Sequence, residues 1–143
     1  MSPDTSEDLS LAKEVLLKHS LSFVLAKSGK VLFKSNSHGI SDLLAMLDSV
    51  GRGTEGASLA DSIVGRAAAL VCVYSKITAV YGVSMSEGAL SIFRVHDVHY
   101  EFGTLVPRIL NRAKDDVCPF DKAISGVEDP RAALDRLKSL KLG

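Results

Sequence analysis

Hydrophobic and polar positions recur at two spacings in the N-terminal third of the chain. Apolar side chains in residues 9–18 and again in residues 40–50 fall on one side of a helix, which predicts two amphipathic helices. Between them, the apolar runs 21–26 and 31–33 lie on either side of Ser28–Gly29. Short apolar runs around such a pair predict a β-hairpin. The expected order is therefore helix, hairpin, helix.

The most apolar part of the chain, Gly56–Tyr74, is predicted to form one buried helix around which the rest packs. Ser58 is its expected N-cap, and Asp61 follows three residues later as in an imperfect capping box. Gly65 within a helix costs about 1 kcal/mol relative to alanine, so we expect another backbone or a ligand to approach closely there. Arg66 either reaches the surface or a distant carboxylate, or it binds an anion.

Strands and helices alternate in the C-terminal half. A β-branched run at residues 77–83 predicts a buried strand, and the alternation at residues 97–102 predicts an outer strand. The other predicted elements are a helix over 86–95, a short helix or turn over 104–112, a loop over 114–118, a helix from Pro119 to about Ser125, and a helix over 131–140 capped by Asp129. This order predicts a mixed, partly parallel sheet between helices, a three-layer α/β/α sandwich.

Length and charge limit the class of protein. The 143 residues predict a single domain over 1–143, with residues 1–8 frayed. Because 17 basic side chains balance 17 acidic ones, neither nucleic acid nor a membrane surface is expected as a partner. No run is apolar enough for a signal peptide or a bilayer span, and two cysteines do not form a disulfide framework. We expect a cytoplasmic protein with reduced thiols.

The loop Gly51–Gly56 matches the glycine pattern of dinucleotide-binding loops, G-x-G-x-x-G. That fingerprint requires a preceding strand, whereas here a helix is predicted before it, so the dinucleotide interpretation is disfavoured. Two interpretations stay open. The loop is either a flexible connection or a source of backbone N–H groups for an anion.

Cys118 is the candidate for chemistry because it directly precedes a predicted helix start, where a thiolate is stabilised. It is the candidate nucleophile or acid, with Asp61 or Asp121 as the candidate proton carrier. The alternatives are that Cys118 is a small residue at a helix start and that Asp121 is a favourable first-turn charge.

Arg108 and Arg112 are four residues apart, and on a helix they would share one face and clamp a phosphate or carboxylate. Asn111 lies beside them, and a solvated basic edge is the alternative. With Arg66, these residues favour a small anionic ligand. His96 and His99 are three apart at the start of a predicted strand, where such residues point to opposite faces, so they do not predict a metal site.

Three stretches resemble a known family: Ala60–Ala69, Leu105–Arg112 and Val117–Ala123. With the order of elements from the hairpin to the final helix, they make the chain similar to a prokaryotic family of unknown function assigned to the cytidine deaminase-like fold. The resemblance implies that fold for most of the chain.

Zinc deaminases of this fold use H-x-E or C-x-E at one helix start and P-C-x-x-C at the next. At the first place, residues 61–68 contain no such motif. At the second, Cys118–Asp121 reverses the proline and cysteine and lacks the second cysteine. Because zinc takes three or four protein ligands, zinc-dependent deamination is disfavoured and neither metal nor cofactor is expected.

Two hypotheses follow. The first is a metal-free deaminase-like protein that binds a small anionic or nucleotide-like molecule between the starts of the Ser58 and Pro119 helices. The nucleotide-like class is implied by the fold resemblance alone. The expected lining is Asp61, Arg66, Asn111, Arg112 and Cys118. The second is a non-catalytic module that has lost deaminase chemistry and kept a surface for self-association or for a protein partner. The outer strand at 97–102 and the apolar content are compatible with a homodimer interface.

Overall fold

Five strands form one mixed sheet in the computed structural model, which describes residues 3–37, 39–111 and 113–140. The strands are β1 (Phe23–Lys27), β2 (Lys30–Ser35), β3 (Ser58–Val64), β4 (Ala79–Ser86) and β5 (His99–Val106). The helices are α1 (Pro3–His19), α2 (Ile40–Val50), α3 (Arg66–Tyr74), α4 (Glu87–Val95), α5 (Pro119–Ala123) and α6 (Pro130–Ser139), with a 3-10 turn at Gly51–Thr54.

The strand order is β2-β1-β3-β4-β5. β1 is antiparallel to both β2 and β3, whereas β3, β4 and β5 run parallel. Helix α1 packs on one face of the sheet, and α2, α3, α4 and α6 form the larger core on the other. The predicted three-layer α/β/α architecture with a mixed sheet is therefore confirmed.

The prediction of one helix over Gly56–Tyr74 is wrong in its first half. Residues 58–64 form β3, the central strand, and α3 begins only at Arg66, with Gly65 as its N-cap. A strand buried on both faces has a continuous apolar sequence, and periodicity does not distinguish it from a buried helix. Ser58 is accordingly no helix cap, and its hydroxyl donates to the Thr5 carbonyl of α1 at 3.2 Å.

The N-terminal residues also differ from the prediction. Helix α1 begins at Pro3, so the helix predicted from Leu9 also includes residues 3–8, whereas residues 1 and 2 lie outside the described residues. Asp8 is 4% exposed, and its carboxylate accepts hydrogen bonds from the backbone N–H groups of Ser28 and Gly29 at 3.0 and 2.8 Å. These bonds attach the hairpin turn to α1.

Of the short helix or turn predicted over 104–112, no helix is present in the described part of that stretch, and the chain bends at Pro107. Strand β5 continues to Val106, and Leu110 forms an isolated antiparallel bridge with Val117. The other elements follow the prediction: the hairpin, α2, α4, β5 at the sheet edge, and α6 with its Asp129 cap, which accepts from the Ala132 N–H at 2.9 Å. Within the described residues, no helix has the length and apolar character needed to cross a membrane.

Candidate functional site

A cleft of about 700 Å³ opens where β3 ends and α3 begins. Its walls come from the start of α2, the end of β3, the first turn of α3, residues 109–111 and the start of α5. The carboxyl ends of parallel strands are the usual ligand position in open α/β sheets. Much of the lining is apolar and includes Phe23, Ile40, Ile63, Ala68, Leu110 and Phe120.

Asp61 is the most buried charged group in the lining, with only 7% exposure. It lies two residues after Leu59 on β3, so its side chain points to the same face, toward the core beneath α3. Its Oδ1 accepts a hydrogen bond from the Ile63 N–H at 3.2 Å. Burial raises the pKa of Asp61 from 3.8 to about 7, although the backbone N–H groups of Ile63 and Ser62 oppose the shift. Asp61 is therefore able to hold or release a proton near neutral pH.

Asp121 belongs to a reciprocal contact between α3 and α5. Its Oδ1 accepts from the Ala67 N–H at 2.8 Å and thereby caps α3, whose own N-cap is the side-chain-free Gly65. In the other direction, the Arg66 guanidinium donates to the carbonyls of Ile124 at 2.8 Å and Val127 at 2.5 Å. We call the contacts of Arg66 and Asp121 the α3–α5 clasp.

Gly65 leaves room for the Asp121 carboxylate in this clasp. A Cβ atom at position 65 would lie 2.5 Å from Asp121 Oδ2 and 3.0 Å from an Ile109 side-chain carbon. The close approach predicted at Gly65 therefore exists, but the approaching group is a side chain, not a backbone or a ligand. Burial raises the pKa of Asp121, while the N–H groups of Ala67 and Arg66 and the Arg66 charge oppose that shift.

Arg66 does not belong to the described cleft lining. Both of its terminal nitrogens donate to backbone carbonyls 58 and 61 residues away in sequence. From sequence, Arg66 was expected at the surface, on a distant carboxylate or on an anion. Hydrogen bonds to two backbone carbonyls are none of these. No local sequence signal marks carbonyl partners at such separations.

Cys118 lies in the cleft lining, half-buried, as the N-cap of α5. Within the described chain, no hydrogen bond joins its thiol to a base. Cys72, by contrast, is 1% exposed inside α3. Burial, and secondarily the nearby charge of Asp61, raises the pKa of the Cys72 thiol.

Of the three residues predicted to bind an anion near the C-terminal loop, only Asn111 is found in the described lining. Its amide forms two hydrogen bonds with Asp115, donating to Oδ1 at 2.9 Å and accepting from the backbone N–H at 3.2 Å. Arg108 is exposed outside the lining, and Arg112 lies outside the described residues.

Sequence reasoning missed the start of α2 and two half-exposed apolar side chains, Ile63 and Leu110, which are 51% and 45% exposed in the lining. The break at residues 36–39 before α2 is the available signal for another helix start at the site. The position of Ile63 in the cleft lining did not follow from the sequence, because residues 58–64 were predicted to be helical.

The zinc implied by the wider fold does not fit the side chains present. Among the described residues, no group of three or more His, Cys, Asp or Glu side chains is placed to hold a metal. The cleft itself offers three candidate metal ligands, Asp61, Cys118 and Asp121. One of the Asp121 oxygens already accepts a hydrogen bond from the Ala67 N–H.

The chain resembles several solved structures, whereas no curated protein matches it. Two structures of RibD from Acinetobacter baumannii, forms 2 and 1, are similar with TM-scores of 0.53 and 0.50, at 11% and 12% identity. Each covers 69% of this chain, which spans 36% and 35% of those proteins. At such identities the likeness concerns the fold alone, and the fold is cytidine deaminase-like.

A more extensive likeness involves TM1506, a DUF1893 family protein from Thermotoga maritima whose crystal structure was determined at 2.70 Å. The TM-score is 0.86 at 22% identity, over 97% of this chain and 91% of that one. Residues 11–140 match the family described as TM1506, domain of unknown function (DUF1893). That match covers most of the sequence, and the chain belongs to the DUF1893 family.

Proposed function

We propose that the cleft binds a small heterocyclic molecule of nucleobase or nucleoside type. The main support is the placement of one desolvated carboxyl, that of Asp61, in the wall of a largely apolar cleft. Small-molecule sites commonly combine apolar walls with a few polar groups that fix orientation. The cleft volume of about 700 Å³ lies within the usual range of roughly 300–1,000 Å³ for such sites.

The half-exposed side chains of Ile63 and Leu110 add to this support. When a ligand covers apolar groups that are open to solvent in a cleft, their removal from water favours binding. A flat heterocycle covers such groups and still presents polar atoms at its edge. The cleft supports a small, flat and largely apolar ligand, whereas the nucleobase class is suggested by the likeness in fold alone.

An anionic ligand is the alternative within the same class of function. The described structure directs Arg66 to carbonyl groups and leaves Arg108 outside the lining. Anion binding therefore depends on Arg112, which lies outside the described residues.

The proposal concerns binding. If turnover occurs, Asp61 is the best candidate for proton transfer because its pKa is raised to about 7. Roles for Cys118 as nucleophile and Asp121 as proton carrier stay predictions. We also propose a reducing, cytoplasmic setting, in which both cysteines remain free thiols.

Thermal shift and isothermal titration calorimetry against nucleobases, nucleosides and nucleotides test the proposal. A ligand at 100 times its Kd stabilises the folded state by about 2.7 kcal/mol, so binding of bases or nucleosides raises Tm measurably. Ile63→Trp fills the cleft mouth and is expected to abolish that rise. Leu17→Trp is the matched control, because Leu17 is 53% exposed on α1, outside the described lining.

Stabilisation by nucleotides and inorganic phosphate, but not by nucleosides, would instead support the anionic alternative. Stabilisation that survives Ile63→Trp would place the ligand elsewhere and contradict the proposal.

Self-association is the second candidate function. The edge strand β5 exposes Phe102 and Leu105, each 39% exposed, and its outer edge has no neighbouring strand in the described sheet. Exposed edges pair readily with a second strand. Sedimentation velocity across a range of concentrations tests this, and a dimer that dissociates in Phe102→Lys but not in Leu17→Lys would support it.

A further inference from the structure

We propose that Asp61 selects ligands that carry a flat, positively charged amidine-like edge, an inference that rests on the proposed binding function. The cleft would then take a ring with two adjacent N–H donors and a delocalised cation. This is a narrower class than heterocycles in general and is opposite in charge to the anionic ligand expected from sequence.

The bonding of Asp61 supports the proposal. Its neighbouring donors are backbone N–H groups of its own strand, from Ile63 at 3.2 Å and from Ser62. Among the described residues, no lysine, arginine or histidine forms an ion pair with Asp61. Asp61 is thus only 7% exposed, in a cleft wall where the described residues supply it with no cationic partner.

A buried carboxylate without a counter-charge is costly, and a ligand cation would remove that cost on binding. The two oxygens of a carboxylate match the two parallel N–H groups of an amidinium or guanidinium, which favours a planar edge over a compact ammonium. An anionic group would instead be repelled by the carboxylates of Asp61 and Asp121, which both line the cleft.

Three probes share a benzene ring and carry a positive charge, no charge or a negative charge: benzamidine, benzamide and benzoate. Comparing their affinities isolates the effect of ligand charge on binding. In calorimetric titrations of the full chain at neutral pH, benzamidine should bind about tenfold or more tightly than benzamide, and benzoate should bind most weakly. Asp61→Asn retains an oxygen for the Ile63 N–H and should fold. It should lower benzamidine affinity about tenfold to hundredfold and change benzamide affinity by less than about threefold.

Asp48→Asn is the charge-matched control, since Asp48 is exposed on α2 outside the described lining. It should leave all three affinities unchanged. Circular dichroism melts of each variant verify folding independently of binding.

Several outcomes would overturn the inference. These are tighter binding of benzoate than of benzamidine, benzamidine affinity unchanged in Asp61→Asn, or loss of benzamidine binding in Asp121→Asn alone. No response to any of the three probes at millimolar concentration would overturn it as well. Benzoate binding that weakens in Arg112→Gln would favour the anionic ligand instead.

The nucleoside panel decides the proposed function separately. If nucleosides stabilise the protein and Ile63→Trp abolishes that effect, the cleft binds heterocycles even where the charge inference fails. If benzamidine binds through Asp61 but no nucleobase or nucleoside does, the charge selectivity holds and the nucleobase class is wrong.

Discussion

Two aspartates are buried to nearly the same degree on opposite sides of the sheet, yet their bonding differs. Asp8 on α1 is 4% exposed, and both of its oxygens accept backbone N–H groups from the hairpin turn. Asp61 on β3 is 7% exposed and receives backbone N–H groups only from its own strand. Asp8 therefore connects two elements, whereas Asp61 connects none and faces the cleft.

The difference shows that burial of a charge does not by itself identify a binding site. A buried carboxylate whose two oxygens connect separate elements contributes to the fold, as in Asp8. One that is bonded only within its own strand, and whose pKa burial raises, costs stability when it is charged, as in Asp61. Substitutions at the two positions should consequently change stability in opposite directions.

The largest expected effect comes from Asp61→Asn. The folded-state pKa of about 7 exceeds the ordinary value of 3.8, so the native state binds the extra proton and loses stability as pH rises from about 4 to about 7. Above that range, removing the charge should raise the free energy of unfolding by on the order of 4 kcal/mol. Urea denaturation of wild type and Asp61→Asn at about pH 5 and about pH 8 measures this. A gain of equal size at both pH values, or a loss at the higher one, would contradict it.

Asp8→Asn should act in the other direction. One amide oxygen replaces two carboxylate oxygens, so either the Ser28 or the Gly29 N–H loses its charged acceptor. The expected loss is about 2 kcal/mol, measured by urea denaturation at neutral pH. Glu14→Gln, an exposed change on the same helix, should be within about 0.5 kcal/mol of wild type. A loss no larger than that of the control would remove the distinction between the two aspartates.

Asp121 lies between these extremes, since it lines the cleft and also caps α3. Asp121→Ala should cost about 1 kcal/mol through loss of the cap to the Ala67 N–H. Gly65→Ala forces Asp121 aside, so its cost should be smaller when Asp121 is already alanine. A double-mutant cycle in urea measures that coupling, and additive effects would show that the Cβ clash is relieved elsewhere.

The two cysteines provide the comparison with the smallest effect on stability. Cys118 should react with a thiol reagent in the native protein, whereas Cys72, at 1% exposure, should react only after unfolding. Cys118→Ser should eliminate the native reaction and change the free energy of unfolding by less than about 0.5 kcal/mol. A native reaction that persists in this variant would assign it to Cys72.

Sequence patterns predicted the amphipathic elements well. Where one face is polar, the spacing of apolar and polar positions distinguishes a helix from a strand. Helix α2 was predicted with its observed limits, Ile40 to Val50, and the hairpin with its turn at Ser28–Gly29. The failure at residues 56–74 has the opposite cause, because a doubly buried strand runs directly into a buried helix. Gly65 marks the boundary between β3 and α3. A glycine in an apolar run does not by itself identify such a boundary, because it is also compatible with a close approach inside a helix.

The candidate site was predicted only in part, for a related reason. Asp61 and Cys118 are found in one cleft, as expected, although Asp61 is on a strand. The sequence leaves Arg66 a surface position, a distant carboxylate or an anionic ligand, because its guanidinium group suits each of them. Its partners are main-chain carbonyls, which every residue possesses and which sequence therefore does not distinguish.

The α3–α5 clasp determines where this protein tolerates redesign. Asp121 caps the Ala67 N–H, Arg66 donates to the carbonyls of Ile124 and Val127, and position 65 has no side chain to displace Asp121. We therefore expect substitutions at residues 65, 66 or 121 to disturb the packing of α3 on α5. Ile63 and Leu110 contribute side chains to the same cleft from half-exposed positions. New specificity is best introduced at these two positions, where a library of substitutions changes what the cleft accepts while the scaffold keeps its shape.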